Sequence, residues 1–248
     1  MLLSASKVFG RIKPVIGVNT DPERSQGHLC LPVRYTQCFA EALQKLHRGE
    51  FRWLWRQRIR ISLEGAGIKT HPVDLHEQQL SLQQHIIAHR STAQPASCSP
   101  VNCEPQLLPV RALNEVFVGE SLSSRSYNIN RLACQEVEDL LSIAKQKGNV
   151  DLTINRELVE QVTDHYNQSL IFCPEEPKIF FSIREPIVNR VFTSSQHRGF
   201  TSKMCVRSRC WDACMVVDGG TSFEFNDGAI ATLTVDEEDA LCTVVLED

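Results

Sequence analysis

Apolar residues recur every three or four positions in some stretches of this chain and alternate with polar residues in others, which distinguishes helices from strands. The helical spacing predicts four amphipathic helices, over residues 1–10, 36–47, 131–147 and 155–166. Gly10, Gly49 and Gly148 stand at or just beyond the ends of the first three, and glycine is a common residue at helix ends. The chain is therefore expected to combine helices with strands.

Strand patterns dominate from Lys178 to the end of the chain. Six short strands are predicted there, over residues 179–183, 203–210, 215–217, 221–225, 229–235 and 241–246. Asp218-Gly219-Gly220 and Asn226-Asp227-Gly228 lie between strands and have the composition of hairpin turns. Earlier strands are predicted over residues 14–18, 51–63 and 110–118. The C-terminal part is therefore expected to be rich in β-structure.

Residues 91–109 have the composition of a linker. Four prolines stand there among serines and other short polar residues, namely Pro95, Pro100, Pro105 and Pro109. Proline removes a backbone donor, and a segment with so few apolar residues cannot bury enough surface to fold. We expect these residues to form a disordered loop.

Composition and charge restrict what the chain can be. It has 248 residues, of which 42% are hydrophobic and 23% are charged, and this balance is typical of a globular protein with room for two domains. The net charge of -4 gives no general attraction to nucleic acid or to an anionic membrane. No run approaches the roughly 20 apolar residues that span a bilayer. Neither nucleic acid nor a membrane is expected as a partner.

The run Phe51–Leu63 allows two interpretations. Trp53 and Trp55 stand among arginines, which is the composition of a stacking platform for single-stranded nucleic acid. From Arg58 onward, however, apolar residues alternate with arginine and serine, as they do in a half-buried strand that shows its arginines to water. The net charge of the chain favours the strand.

Cysteine and histidine spacing predicts no metal site. Cys205, Cys210 and Cys214 are close in sequence, but the chain has no Cys-x-x-Cys pair. His85 and His89 lie one helical turn apart and are interpreted as solvated residues of a helix face. The ten cysteines are irregularly spaced, so free thiols are expected rather than a disulfide framework.

Asn114 and Glu115 form the most informative polar pair, at the end of an apolar strand pattern. A carboxylate can accept hydrogen bonds from two neighbouring sugar hydroxyls, and an amide offers both a donor and an acceptor. The pair therefore suits a ribose. Taken alone, the same two residues are also typical of an ordinary turn that ends a strand.

Three longer segments give the pair its context. They are Gly17–Pro32, Phe51–Arg60 and Arg207–Gly220. Together with Asn114 and Glu115, they make the chain resemble the NAD kinases, and the mitochondrial type in particular. The resemblance covers nearly the whole chain.

The resemblance implies a fold and an activity. The fold class is α/β followed by β: residues 1–35 are the remnant of a Rossmann-like domain, and residues 36–248 form a β-rich, sandwich-like domain with helices. The activity is transfer of the terminal phosphate of ATP, with Mg²⁺, to the adenosine ribose 2′-hydroxyl of NAD, which gives NADP. The resemblance also implies mitochondrial residence and a homodimer.

The substrate contacts implied by the resemblance are Asn114, Glu115, Asn128 and Asn19. Asn114 and Glu115 match the family's substrate-binding pair residue for residue. Asn128 matches a polar contact shortly after a family turn, and Asn19 matches the loop near the nucleotide. No catalytic residue and no metal ligand is assigned.

Two family motifs are not found. Members carry a Gly-Gly-Asp-Gly-Thr motif whose aspartate is taken to deprotonate the ribose hydroxyl, and this chain begins where the helix after that motif should start. A Thr-Gly-Ser turn should follow the Asn-Glu strand, but Ser121–Arg125 runs directly into Ser126–Asn130, as in an internal deletion. We therefore expect a truncated or alternatively spliced form with impaired activity.

A second function stays open on this basis. A chain without the phosphate-binding turn could act as a non-catalytic NAD-binding or assembly module that pairs with an intact kinase subunit. Met1–Phe9 is too short for a mitochondrial presequence, so mitochondrial residence follows from the resemblance alone.

Overall fold

The structure is a computed structural model that describes residues 2–25, 27–65, 68–73, 104–121, 133–148, 151, 153–184 and 197–246. The chain forms two compact units. The first comprises residues 1–125, 177–179 and 201–248, and the second comprises residues 126–176 and 180–200. The expected boundary between residues 35 and 36 does not coincide with this division.

Helices and strands occur in both units. The helices are α1 Leu2–Val8, α2 Arg34–Gln37, α3 Phe39–Arg48, α4 Cys134–Gly148 and α5 Arg156–Ser169. The strands are β1 Arg52–Arg56, β2 Ile59–Glu64, β3 Gln106–Leu107, β4 Val116–Glu120, β5 Ile179–Ser182, β6 Arg198–Thr201, β7 Lys203–Arg207, β8 Ala213–Val217, β9 Thr221–Glu224, β10 Ile230–Val235 and β11 Leu241–Val245.

The first unit is built on antiparallel sheets. One sheet has the strand order β3-β2-β10-β7, another has the order β4-β8-β9, and β1 pairs with β11. Both larger sheets bury side chains in one core, whose largest fully buried members include Ile61, Leu63, Leu108, Met215, Phe223 and Phe225. Burying such a side chain contributes about 1.5–3 kcal/mol. This shared core therefore fixes the two sheets against each other.

The mixed composition of helices and sheets is confirmed, but the predicted strand over residues 14–18 is wrong. Pro14 has no backbone N–H, and Val15 makes a single bond to the carbonyl of Cys242, 2.9 Å long, on the outer edge of β11. A ladder needs a series of such bonds, so the segment is extended without forming a strand. The Rossmann-like origin of residues 1–35 stays a prediction.

The end of the predicted disordered loop is ordered. Residues 91–103 lie outside the described part of the chain, but Gln106 and Leu107 form β3 at the edge of β2. Leu108 is fully buried, and its N–H donates to the carbonyl of Ile61 over 2.9 Å. The buried Leu108 and the pairing of β3 with β2 together hold residues 106–108 against the sheet.

The predicted strand over residues 51–63 is divided into β1 and β2, and one of its arginines is not exposed. Arg58 is only 6% exposed, and its guanidinium donates to the carbonyls of Ser6, Phe9 and Asp239. Ser6 and Phe9 lie at the end of α1, where helical carbonyls have no partner within the helix. The arginine is therefore buried because it satisfies those carbonyls.

The two predicted turns differ in what they connect. Asp218-Gly219-Gly220 joins β8 to β9, which pair with each other, so this hairpin is confirmed. Asn226-Asp227-Gly228 joins β9 to β10, which belong to different sheets, so the prediction of a hairpin is wrong there. Both turns contain glycine, and only the strand partners distinguish them.

The second unit contains α4, α5, residues 180–182 of β5 and residues 198–200 of β6. Asn155 caps α5, because its side chain accepts a hydrogen bond from the N–H of Leu158, 2.8 Å long. Phe200 packs edge-on against Phe172 and Phe180, with ring centres 5.4 and 5.3 Å away. Within the described residues, no helix combines the length and the apolar character needed to cross a membrane.

Candidate functional site

The Asn114–Glu115 pair lies where the chain passes from the four-stranded to the three-stranded sheet. Before the pair, Ala112 forms an antiparallel bridge with Ile59 through two backbone hydrogen bonds of 2.8 and 3.1 Å. After the pair, β4 begins at Val116 and runs along β8. The prediction of one strand over residues 110–118 is therefore wrong, and so is the prediction that the pair ends a strand. The run bends at residues 113–114, and the pair precedes the second strand.

The side chains of Asn114 and Glu115 are exposed. Among the described residues, neither side chain has a hydrogen bond or ion pair, whereas both backbone N–H groups are bonded. The amide of Asn114 and the carboxylate of Glu115 are thus available to a ligand. Their backbone is fixed independently of any ligand.

The group that fixes this backbone is the carboxylate of Asp218. Its Oδ1 accepts hydrogen bonds from the N–H groups of Asn114 and Glu115, at 2.8 and 3.1 Å, and its Oδ2 accepts one from Leu113 at 3.0 Å. The N–H of Asp218 donates in return to the carbonyl of Glu115 over 3.0 Å. Bonds to an ionised acceptor are roughly twice as strong as neutral ones. One side chain therefore holds three consecutive residues.

Asp218 is itself held by the β8–β9 hairpin. Its φ of 51° and the φ of 66° at Gly219 lie in the left-handed region, which aspartate and glycine tolerate better than most residues. The side chain is buried, and the strand before it ends at the fully buried Val217. The sequence predicts the turn from an aspartate followed by two glycines. It does not predict the hydrogen bonds between Asp218 and residues 113–115.

A charged cluster holds the segment just before the pair. Nε of Arg111 lies 2.9 Å from a carboxylate oxygen of Asp239, which also binds Arg60, while Asp236 lies 2.9 Å from Arg60. Burial alone would raise the pKa of Asp239, but hydrogen bonds from Arg60 and Arg111 bring that pKa below its usual value. Burial lowers the pKa of the nearby Arg58, and the charge of Asp239 opposes that change. The ionised cluster therefore ties residue 111 to the 3₁₀ turn Glu237–Asp239.

Asn19 is used differently from Asn114. It is only 6% exposed, its Nδ2 donates to the carbonyl of Ser25 over 2.7 Å, and its Oδ1 accepts from the N–H of Asp21 over 3.2 Å. The side chain thus closes its own loop. Among the described residues, no hydrogen bond joins this loop to the Asn114–Glu115 pair.

Asn128, the remaining predicted contact, lies outside the described residues. Of the three predicted site residues that the structure describes, Asn114 and Glu115 are placed together with exposed side chains, and Asn19 is buried in another loop. The roles of all four as substrate contacts stay predictions.

The chain is similar along its whole length to several known proteins. It is 63% identical to NAD kinase 2, mitochondrial, of Homo sapiens and covers 63% of that protein. It is 62% identical to the protein of the same name from Rattus norvegicus, of which it covers 65%, and 57% identical to that from Xenopus tropicalis, of which it covers 69%. The chain thus spans less than two thirds of the human and rat proteins. No protein-family model matches it.

An identity of 57% with a protein of which the chain covers 69% is decisive for common descent. The resemblance first drawn from the three sequence segments and the Asn-Glu pair points to the same group. The chain belongs to the NAD kinase family, within its mitochondrial type.

Proposed function

We propose that this chain binds NAD through Asn114 and Glu115 and derives from an enzyme that transfers a phosphate from ATP to the adenosine ribose 2′-hydroxyl of NAD. The observation that carries the proposal is the pair itself: two exposed polar side chains on a backbone held by other groups. The names of the relatives, NAD kinase 2, support the substrate and the reaction class.

The pair fits a ribose because of its hydrogen-bonding groups. The carboxylate of Glu115 can accept hydrogen bonds from both neighbouring hydroxyls of a sugar, and the amide of Asn114 can donate and accept at the same time. Because neither side chain must first break a bond within the described residues, binding does not begin with a loss of internal contacts.

The residues that the structure describes do not form a magnesium site. The described part of the chain contains no group of three or more His, Cys, Asp or Glu residues arranged to hold a metal. Both carboxylate oxygens of Asp218 already accept backbone hydrogen bonds. In phosphate-transferring enzymes, Mg²⁺ is commonly bound by one or two carboxylates together with substrate phosphates and water. The described residues thus show no preformed metal site, and we assign no metal ligand among them.

The proposal includes impaired phosphate transfer. The match to the human relative extends over 282 aligned positions, more than the 248 residues of this chain, which supports an internal deletion relative to that protein. A turn with backbone N–H groups for the triphosphate is the segment we propose to be missing, at the junction of Arg125 and Ser126. Loss of one such donor typically lowers turnover roughly 10²–10³-fold. Asn128 and Asn19 are proposed as further contacts of the nucleotide.

We propose mitochondrial residence from the names of the relatives. A second candidate function is an assembly module that pairs with an intact kinase, or with a second copy in a homodimer. It is favoured by large apolar side chains that are almost half exposed, namely Phe39, Leu43 and Trp53. Co-purification with a full-length relative supports this function, and a chain that stays monomeric and does not bind the full-length kinase contradicts it.

Two measurements test the main proposal. Calorimetric titration of the purified chain with NAD should give saturable binding, and absence of heat at millimolar NAD contradicts the proposal. A coupled assay for NADP formation, with a full-length relative as control, should give turnover at least about 10²-fold below the control. Turnover equal to the control contradicts the proposed impairment while leaving NAD binding in place.

A further inference from the structure

We propose that Asp218 is the positioning residue of the Asn114–Glu115 pair: its carboxylate fixes the backbone from which both side chains reach a ribose. The inference rests on the proposed function, because the pair is taken there as the contact with NAD. Asp218 acts through its neighbours, since its own carboxylate oxygens are directed at backbone N–H groups.

The first argument is the direction of the hydrogen bonds. Leu113, Asn114 and Glu115 donate their N–H groups to one carboxylate, at 3.0, 2.8 and 3.1 Å. Three consecutive N–H groups that converge on one point require a bend, and an anionic acceptor stabilises that bend. The same bend leaves the side chains of Asn114 and Glu115 exposed. The shape of the loop and the exposure of the pair thus have one cause.

The second argument is the rigidity of the anchor. Asp218 is buried, its N–H binds the carbonyl of Glu115, and the hairpin behind it packs into the core through Val217. The contact joins positions 103 to 105 residues apart in sequence, so it ties the loop to a different part of the unit. A ligand contact built on such a loop is organised before the ligand arrives, which reduces the entropy lost on binding.

The test compares Asp218→Asn with Asp227→Asn. Asparagine tolerates the left-handed backbone of position 218 but offers one acceptor oxygen, and its NH₂ group would face an N–H. Asp227 lies exposed in the turn between β9 and β10 and is the matched control. Asp218→Gly is the second variant, because glycine accepts the positive φ and removes the carboxylate altogether.

Amide hydrogen exchange at residues 113–115 is the first readout, and it needs no ligand. We expect exchange there to rise about tenfold or more in Asp218→Asn and in Asp218→Gly, and to stay unchanged in Asp227→Asn. Unchanged exchange at residues 113–115 in both Asp218 variants overturns the inference. This result stands whether or not the chain binds NAD, so a failure of the proposed function is distinguished from a failure of this inference.

The affinity for NAD is the second readout, measured by titration at a temperature where every variant is folded. We expect the Kd to rise about tenfold or more in Asp218→Asn, and this rise to become much smaller when Glu115→Ala is already present. A merely structural aspartate would lower the unfolding midpoint and leave the Kd unchanged. An unchanged Kd in Asp218→Asn overturns the inference. So does full additivity, in which Asp218→Asn weakens NAD binding by the same factor with and without Glu115→Ala.

Discussion

Two loops of the first unit each carry an asparagine with a predicted role at the nucleotide, and the two side chains are used in opposite ways. The amide of Asn19 is buried and closes its own loop through Ser25 and Asp21. The amide of Asn114 is exposed, and Asp218 holds the backbone instead. A side chain that stabilises its own loop has few groups left for a ligand. We therefore expect the exposed amide of Asn114 to contribute more to NAD binding than the buried amide of Asn19.

The largest expected effect is that of the double substitution Asn114→Ala with Glu115→Ala. Because two or three hydrogen bonds of about 1–1.5 kcal/mol each are lost, the Kd for NAD should rise about 30-fold or more. Because both side chains are exposed, the free energy of unfolding should change by less than about 0.5 kcal/mol. Calorimetric titration and chemical denaturation measure the two quantities. Unchanged affinity for NAD would show that the two side chains do not contact the ligand.

Asn19→Ala should show the opposite pattern. The substitution removes the hydrogen bond to the carbonyl of Ser25 and the one from the N–H of Asp21, each of which contributes about 0.5–1.5 kcal/mol of unfolding free energy. The affinity of the folded protein for NAD should change less than in the double variant. Denaturation measures the stability of the variant, and titration of the same sample measures its affinity for NAD. A fully stable variant with weak NAD binding would contradict the prediction, because Asn19 would then act on the ligand and not on its loop.

Gly27→Ala tests whether the side chain of Asn19 is held in place within its loop, and Gly49→Ala is the control. Both glycines have positive φ, 60° and 75°, so alanine is strained at either position by about 1–2 kcal/mol. A Cβ at Gly27 would lie 2.6 Å from Nδ2 of Asn19, whereas a Cβ at Gly49 would have nothing within 4 Å. Gly27→Ala should therefore lower the unfolding midpoint further than Gly49→Ala. Equal midpoints would show that the Asn19 side chain is free to move.

The smallest expected effect concerns the scaffold alone and depends on pH. The pKa of Asp239 is lowered in the folded protein, so its ionised form stabilises the fold above the unfolded pKa of about 3.8, and this stabilisation is lost as the pH falls through the folded pKa. The difference in unfolding free energy between the wild type and Asp239→Asn should be constant above about pH 5 and shrink below about pH 4.

Denaturant titrations across that pH range measure this difference. A difference that does not change with pH would mean that Arg60 and Arg111 do not stabilise the ionised form. At neutral pH, the affinity for NAD should be affected less by Asp239→Asn than by Asp218→Asn, since Asp239 binds the segment before the pair and not the pair itself.

Elements whose pattern is set by one buried face could be predicted from the sequence. In β2 and β10, alternate residues such as Ile61 and Leu233 enter the core, and this alternation is visible locally. The change of sheet within residues 110–118 was not predictable in this way. The bridge to Ile59 and the pairing with β8 involve partners far along the chain, and apolar residues suit either sheet.

The candidate site was predictable only to the level of residue types. The chemistry of Asn114 and Glu115 and the resemblance to a family point to this pair. The sequence predicts a turn at Asp218 but not its hydrogen bonds to residues 113–115, because these partners lie more than 100 positions away. The strand pattern predicts an exposed Arg58, but its guanidinium is buried because it donates to carbonyls at the end of α1. Polar contacts between residues far apart in sequence do not change the local spacing of apolar residues, so that spacing does not predict them.

The most direct test of the central claim is a crystal structure of the chain with NAD bound. The account predicts that the hydroxyl oxygens of one ribose lie about 2.6–3.2 Å from the carboxylate of Glu115 and the amide of Asn114, with the bonds from residues 113–115 to Asp218 intact. A dinucleotide bound elsewhere, with both side chains still in solvent, would contradict it.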